Sequence, residues 1–352
     1  MIFETITSSK FPEDYHALAL QLEAESIFFS RLWFDNFLQT VVSDQDTITW
    51  FGCKSEKGEP LLLWPLWQQP NKTLHPTRIT SLANYYTTLY EPLHTISDEL
   101  LLEKIIMILA KKICQLHWDY IDFYPLNPKS PIFTLLIQAF QQQNKYIQPY
   151  FMYGNWFLLT NNKNYATYYS SLPSRLKNTL ERRSNKLKKE HSIEFKICTN
   201  FSETEATLRH YQSIYSQSWK KTEPYQNFVP NLVKQSAKKG WLRMGQLIID
   251  NEVAAIQVWF TLHNTAYIYK MCHLSKYSKY SIGSLLTEYL IKTAINQDKV
   301  LKIDFLTGDD NYKKDWMNER KELWGIQLTN KHSFYGILRI VKHVIKKNIQ
   351  LS

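Results

Sequence analysis

The sequence predicts a mixed α/β fold built twice over, and three observations point to it. Residues 241–316 read as strand, turn, strand, strand, turn, helix, strand and short helix. The tripeptide Ile-Asp-Phe occurs at Ile121-Asp122-Phe123 and again at Ile303-Asp304-Phe305, each time after a long apolar helix pattern and a short turn. A hairpin pattern lies upstream of each copy: TITWFGCKSEKGEPLLLWPLW in the first half and WLRMGQLIIDNEVAAIQVWF in the second. A shared tripeptide alone carries little, but the shared order of elements predicts a duplicated unit with a central mixed β-sheet flanked by helices.

The elements follow from local pattern. WLRMGQLII and VAAIQVWFTL flank Asp250-Asn251-Glu252, a polar turn of the hairpin kind. TAYIYKMCHL alternates its large side chains with period two, as a half-buried strand does. YSKYSIG then leads into a helix predicted over 284–295, followed by the strand KIDFL and by GDDNYKKDW, where Tyr312 opens a short helix. The matching helix of the first half is LLLEKIIMILAKKICQLHW. The halves are expected to meet near residues 155–170, and a helix is predicted from Ser174 to about Glu190. Ser170 or Ser171 can cap that helix, and Pro173 suits its first turn. Seven Lys or Arg side chains on it stand against Glu181 and Glu190 alone, which makes a solvated face or a guide for an anionic ligand. At the C-terminus Phe334, Ile337, Leu338, Val341, Val344 and Ile345 recur at helical spacing opposite Arg339, Lys342, Lys346 and Lys347. That basic amphipathic helix either docks on its own domain or meets a membrane surface or a protein partner. The expected division is 1–160, 161–330 and the helix 331–352.

Composition narrows the function. A chain of 352 residues suits two domains, and 44% hydrophobic and 14% aromatic content supply packed cores. No run of 18 apolar residues occurs, and the start MIFETITSSKFPEDY lacks a basic region followed by an apolar core. Neither a spanning helix nor a secretory signal is therefore expected. Cys53, Cys114, Cys198 and Cys272 show no CxxC or metal spacing, which predicts buried single thiols in a reduced, cytoplasmic setting. A net charge of +10 favours an anionic partner: a nucleotide-bearing cofactor, tRNA, a nucleotide-sugar or an anionic membrane surface. HExxH, GxSxG and GxxxxGK are absent, and no His or Cys pair has ligand spacing. These absences argue against hydrolase, protease and NTPase chemistry and predict no metal.

The element order, with SIG at 281–283 and GDDNYKKDW, resembles the GNAT-type acyltransferases. Within them it is most similar to the CelD/BcsL-like branch associated with exopolysaccharide and cellulose synthesis, a relative of the FemAB peptidyltransferases. The resemblance takes in SLPSRLKNTLERRSNKLKK and, more weakly, the first half. It implies tandem GNAT-like units: a degenerate N-terminal one and a C-terminal one that binds acetyl-CoA or another acyl-CoA as co-substrate. The donor diphosphate would lie at Tyr280, Ser281, Ile282, Gly283 and Ser284, although YSIGS keeps only one glycine of the family's Q/R-x-x-G-x-G/A turn. A backbone N–H between Ala266 and His273 would serve as oxyanion donor, and Tyr312 as general acid. Lys313 would pair with a carrier phosphate or anchor Asp309 or Asp310. Asp304 and His273 are the candidate bases; the twin Asp122 speaks for a structural role of Asp304. The first half has no equivalent of YSIGS or NYKKDW and is expected to have lost donor binding and to shape the acceptor cleft. The implied reaction is direct acyl transfer to an amine or hydroxyl of a sugar or polysaccharide-related acceptor, in the cytoplasm or at the inner membrane surface. The alternatives are aminoacyl-tRNA-dependent peptidyl transfer of the FemAB kind and a non-catalytic scaffold in an envelope polysaccharide system.

Overall fold

Short polar turns between apolar runs give each half of the chain a meander of strands. The computed structural model describes residues 1–70, 74–218 and 220–351, with side chains described through residue 345. It divides into two units, Met1–Tyr153 with Glu322–Ser352, and Gly154–Lys321.

In the first unit β1 (Ile2–Thr7), β2 (Thr47–Lys54), β3 (Pro60–Gln68) and β4 (Arg78–Ser81) are successive antiparallel neighbours, with β5 (Leu93–His94) also on β3. β6 (Tyr120–Leu126) then joins β4 in parallel. The C-terminal part of β13 (Glu319–Thr329) joins β6 antiparallel. The unit also holds α1 (His16–Leu22), α2 (Arg31–Thr40), α3 (Glu99–Ile113), α4 (Pro131–Gln142) and α10 (Phe334–Leu351). Leu109 and Ile113 of α3 and Phe140 of α4 close over Trp64 and Phe123 of the sheet.

The second unit repeats this plan. β8 (Ile193–Cys198), β9 (Leu242–Ile249), β10 (Glu252–Leu262) and β11 (Thr265–His273) form the antiparallel meander. β12 (Lys302–Asp304) joins β11 in parallel, and the last residues of β7 (Tyr146–Leu159) join β12 antiparallel. Its helices are α5 (Tyr165–Ser171), α6 (Ser174–Glu190), α7 (Phe201–Gln217), α8 (Phe228–Lys238) and α9 (Ile282–Asn296). Asp250 and Asn251 take φ of 49° and 67°, the left-handed pair that a two-residue hairpin turn requires. Leu286, Leu290 and Ile291 of α9 pack on Trp259, Ile268 and Ile303. A Cβ at Gly245 would lie 2.8 Å from Leu290, so the glycine lets α9 close onto β9.

The repeated tripeptide therefore marks one structural position twice. Ile121 and Asp122 face Ile79 and Thr80, and Ile303 and Asp304 face Ala266 and Tyr267, in the same parallel register. Each unit is a mixed sheet flanked by helices, the fold class that the sequence predicts.

Several local expectations need correction. Ser170 and Ser171 do not cap α6; they close α5, with hydroxyls donating to the carbonyl oxygens of Thr167 and Tyr168. α6 starts after Pro173 with no side-chain cap. α9 starts at Ile282 rather than Ser284. KIDFL leaves the sheet after Asp304, because Leu306 turns into left-handed backbone at φ 56°. Lys346 and Lys347, expected on the polar face of α10, lie outside the described side chains.

Candidate active site

The chemistry-bearing residues of the second unit gather where β11 and β12 part. The parallel pair lasts only from Thr265 to Tyr267, while β11 continues to His273. Among the described residues, no strand pairs with Ile268–His273 on that side. On its other side β11 has a bulge: Trp259 faces Ile268 but Val258 faces Lys270, so Tyr269 is the extra residue. The bulge shifts the alternation. Ala266 and Ile268 face the α9 core, and beyond it Met271 does so too. His273 lies against the first turn of α9. Lys270 and Cys272 turn the other way, toward Glu223 and Lys220.

This end of β11 runs into the N-terminus of α9. The N-cap Ser281 holds φ 55° and no side chain caps the first turn. The leading N–H groups of this helix therefore point outward without an intrahelical acceptor, at the positive end of the dipole. A Cβ at Gly283 would sit 3.4 Å from Cδ2 of His273, so this turn and the histidine are adjacent. The side chains of Tyr280 and Ile282 point inward, at 1% and 0% exposure; what they offer a ligand is backbone. The Tyr280 hydroxyl donates to Glu190, and His191 Nε2 lies 3.1 Å from it. Beneath the turn, Gln257 Nε2 donates to the Gly283 carbonyl oxygen (2.9 Å) and to Thr287 Oγ1 (2.8 Å). Trp259 Nε1 in turn donates to Gln257 Oε1 (2.9 Å), so a buried network fixes the start of α9.

α6 packs alongside this turn. Arg183 donates to the Lys279 carbonyl oxygen, and the ammonium groups of Lys186 and Lys279 lie 5.8 and 4.7 Å from the Tyr280 ring centre. The basic helix and the turn before α9, far apart in sequence, thus bring Arg183, Lys186 and Lys279 together.

Tyr312 is the N-cap of a short 3₁₀ turn, Lys313–Asp315. Its ring meets Phe305 edge-on, and its hydroxyl lies 3.9 Å from Sδ of Met271 on β11. Burial, with Asp310 adding, pushes its phenol up to about 12, so it is protonated at neutral pH. Lys313 is 4% exposed, and its ammonium donates to the carbonyl oxygens of Thr307 (2.5 Å) and Gly308 (3.2 Å), with Asp310 at 3.5 Å. It staples the loop that carries the chain away from β12. Asp309 is held instead by Arg320 (2.6 Å) and Trp156 (2.7 Å).

The two candidate bases differ in kind. Asp304 is 3% exposed; Oδ1 accepts from Asn155 (2.7 Å) and the Leu306 N–H (2.8 Å), and Oδ2 faces Lys302 at 2.8 Å. Burial raises its carboxyl, but Lys302, Lys321 and Asn155 outweigh that and hold it below the usual carboxylate range. A carboxylate so committed is a poor proton acceptor, which favours the structural anchor over the base for Asp304. His273 is shifted down by burial, with Lys220 adding, and is therefore neutral and able to accept a proton at pH 7.

Beside this edge a cleft of about 370 Å³ opens between α7 and α8. Tyr211, Tyr215, Gln212, Gln226, Lys220 and Glu223 line it. Glu223 reaches Lys270 of β11 at 2.6 Å. Burial lowers both Lys270 and Lys220, Lys220 also through Lys270. Burial pushes Cys272 up to about 12, so its thiol is no nucleophile at neutral pH. Sequence reasoning missed Glu223 and Lys270, which are 47 positions apart, and Gln257 in the middle of an apolar strand; the only signal was a lone amide inside VAAIQVWFTL. Among the described residues no group of His, Cys, Asp and Glu could hold a metal ion.

Comparison with known proteins supplies the frame for this geometry. No curated protein matches the sequence. The fold is similar to FemX, with TM-score 0.62 and 9% identity over 92% of this chain and 96% of that one. It is also similar to a C-terminal domain assigned to a lysylphosphatidylglycerol synthetase from Agrobacterium fabrum (TM-score 0.55, 10% identity, 95% and 96% covered). A third likeness is to a tandem GNAT protein from the clavulanic acid biosynthesis pathway (TM-score 0.50, 9% identity, 92% and 98% covered). Residues 174–314, from the first turn of α6 past Tyr312, match the acetyltransferase (GNAT) domain family. That match, together with the tandem GNAT likeness, supports a GNAT-type acyltransferase.

Proposed function

We propose that the second unit transfers an acyl group directly from acyl-CoA, acetyl-CoA in the first instance, to an amine or hydroxyl of a sugar or glycan-precursor acceptor. The observation that carries this reading is the strand end Ile268–His273, beside which no strand lies among the described residues, running into the uncapped N-terminus of α9. The donor diphosphate rests on the N–H groups of residues 282–284, and the thioester lies along β11, where a strand N–H meets the carbonyl oxygen. The acceptor enters through the cleft between α7 and α8, whose tyrosine rings, amides and Glu223 suit a polar, hydroxyl-bearing molecule. Its nucleophile loses a proton to Glu223 or His273 as its lone pair forms the new bond to the carbonyl carbon. The C–S bond breaks, and the departing thiolate takes its hydrogen bond, then its proton, from Tyr312.

Calorimetric titration with acetyl-CoA tests the donor site. Binding by the wild type and its loss in Gly283→Trp support the reading; equal binding by both removes the donor from α9. Glu223→Gln and His273→Gln separate the two bases, since the true base loses turnover by about 100-fold with donor affinity unchanged.

One observation favours a second reading, with aminoacyl-tRNA as donor: the basic face of α6 beside the donor turn. Retention of tRNA that falls steeply with salt, in a protein that ignores acetyl-CoA, would replace the first reading with this one.

A further inference from the structure

The C-terminal helix is packed the opposite way round from an ordinary amphipathic helix. Its docked side, which includes Gly336 and Ile340, is held by polar contacts: Arg339 Nε donates to Gln327 Oε1 at 2.7 Å, and its guanidinium lies 4.0 Å from the Tyr120 ring centre. His343 shares a 2.8 Å hydrogen bond with Tyr146. Its apolar stripe faces outward, with Phe334, Ile337, Leu338, Val341, Val344 and Ile345 between 44% and 71% exposed. The polar contacts fix which face is presented, so the stripe is displayed rather than left over.

We infer that this stripe seats the protein on an anionic lipid surface, with α10 lying in the plane of the interface. Charge selects that occupant. Residues 331–351 contain Lys331, Arg339, Lys342, Lys346 and Lys347 and no Asp or Glu. A second copy of the helix would set two such segments against each other, whereas an anionic bilayer attracts them while taking up the apolar side chains. Among the described residues no helix is long and apolar enough to cross a membrane, which suits a helix that lies on the surface. The inference stands whichever acyl donor the second unit uses.

The test is co-sedimentation of the full chain with vesicles of phosphatidylcholine alone and of phosphatidylcholine mixed with phosphatidylglycerol. The wild type binds the mixed vesicles, and Val341→Asp weakens this by roughly tenfold or more. Leu20→Asp, which alters an equally exposed leucine on α1 at 54% exposure, leaves it intact. Circular dichroism and thermal melting confirm that both variants fold. Equal vesicle binding by Val341→Asp would overturn the inference in favour of diffuse positive charge. Wild-type self-association that Val341→Asp dissolves, without vesicle binding, would overturn it in favour of a second copy. Equal binding to phosphatidylcholine alone would refute the anionic requirement.

Discussion

The two units share strand order and register, yet they treat the gap beyond their parallel strand pair in opposite ways. In the first unit the gap is filled from within. Ser81 Oγ accepts from the Tyr124 N–H (2.9 Å), and the Tyr90 N–H reaches the Pro125 carbonyl oxygen (2.7 Å). The Tyr90 ring is buried at 3% exposure, with its hydroxyl on the Pro65 carbonyl oxygen (2.6 Å). The following helix, α3, carries its own anion: Asp98 accepts from the N–H groups of Leu100 (3.0 Å) and Leu101 (3.1 Å). In the second unit β12 stops after three residues, Lys313 holds the departing loop aside, and α9 has no side-chain cap. One copy of the fold fills this gap and caps the following helix with its own side chains; in the other, among the described residues, no strand lies beside the end of β11 and no side chain caps α9.

The twin aspartates give the largest expected effect. Asp304 has a side chain 4% exposed and pairs with a partly buried lysine, whereas the Arg78 partner of Asp122 is 37% exposed. Asp304→Ala should destabilise the protein by about 3 kcal/mol by leaving Lys302 unmatched, and Asp122→Ala by only about 1 kcal/mol. Urea unfolding checks both. Because the Asp304 carboxyl is depressed in the fold, its contribution is present above the unfolded value of about 3.9. It is lost as pH falls through the lower folded value, so Asp304→Ala should flatten the acid limb of the stability profile below about pH 4. An unchanged acid limb would sink the ion-pair account.

Making the second unit resemble the first comes next. Gly283→Glu places a carboxylate at the bare start of α9, where its Cβ meets only an ordinary contact with His273. Acetyl-CoA affinity should fall by about 100-fold, roughly 2.7 kcal/mol, through repulsion of the diphosphate. Thermal stability should hold or rise, since a helical glycine is removed and an acid joins the first turn. Tyr312→Phe follows at roughly 30-fold in kcat, with donor affinity within about twofold, if the phenol acts only as the thiolate departs.

Hairpin turns and the repeated Ile-Asp-Phe were legible because they depend on neighbours in sequence: left-handed residues at 250 and 251, and one register used twice. The gap itself was not. Phe305-Leu306 continues an apolar strand pattern, and only the backbone turn at Leu306 removes it from the sheet. Alternation identifies β11 as a strand, but strict period two does not carry through it, because the bulge at Tyr269 shifts everything after it. Beside Tyr312, Lys313 reads equally as a partner for a carrier phosphate or as an anchor for Asp309 or Asp310, and only its enclosure by carbonyl oxygens, with Asp310 at 3.5 Å, favours the anchor. Likewise the stripe on α10 says which residues share a face but not which face packs.

The smallest effect isolates the cap. Asp98→Ala in the first unit removes the carboxylate that α3 carries over its own first turn and should cost about 1 kcal/mol of stability. It should leave acetyl-CoA binding unchanged, because the gap beside it remains filled by Tyr90 and Ser81. The Asp98→Ala, Tyr90→Ala double variant separates the two obstacles. If a bare helix start were sufficient for the donor, Asp98→Ala alone would create a second site, and the titration stoichiometry would rise from one toward two. If an open strand edge is also required, stoichiometry stays at one in the single variant. The second unit has both features in succession along one chain path, an uncapped helix start and a strand end with no neighbouring strand among the described residues, and the proposed donor site uses both.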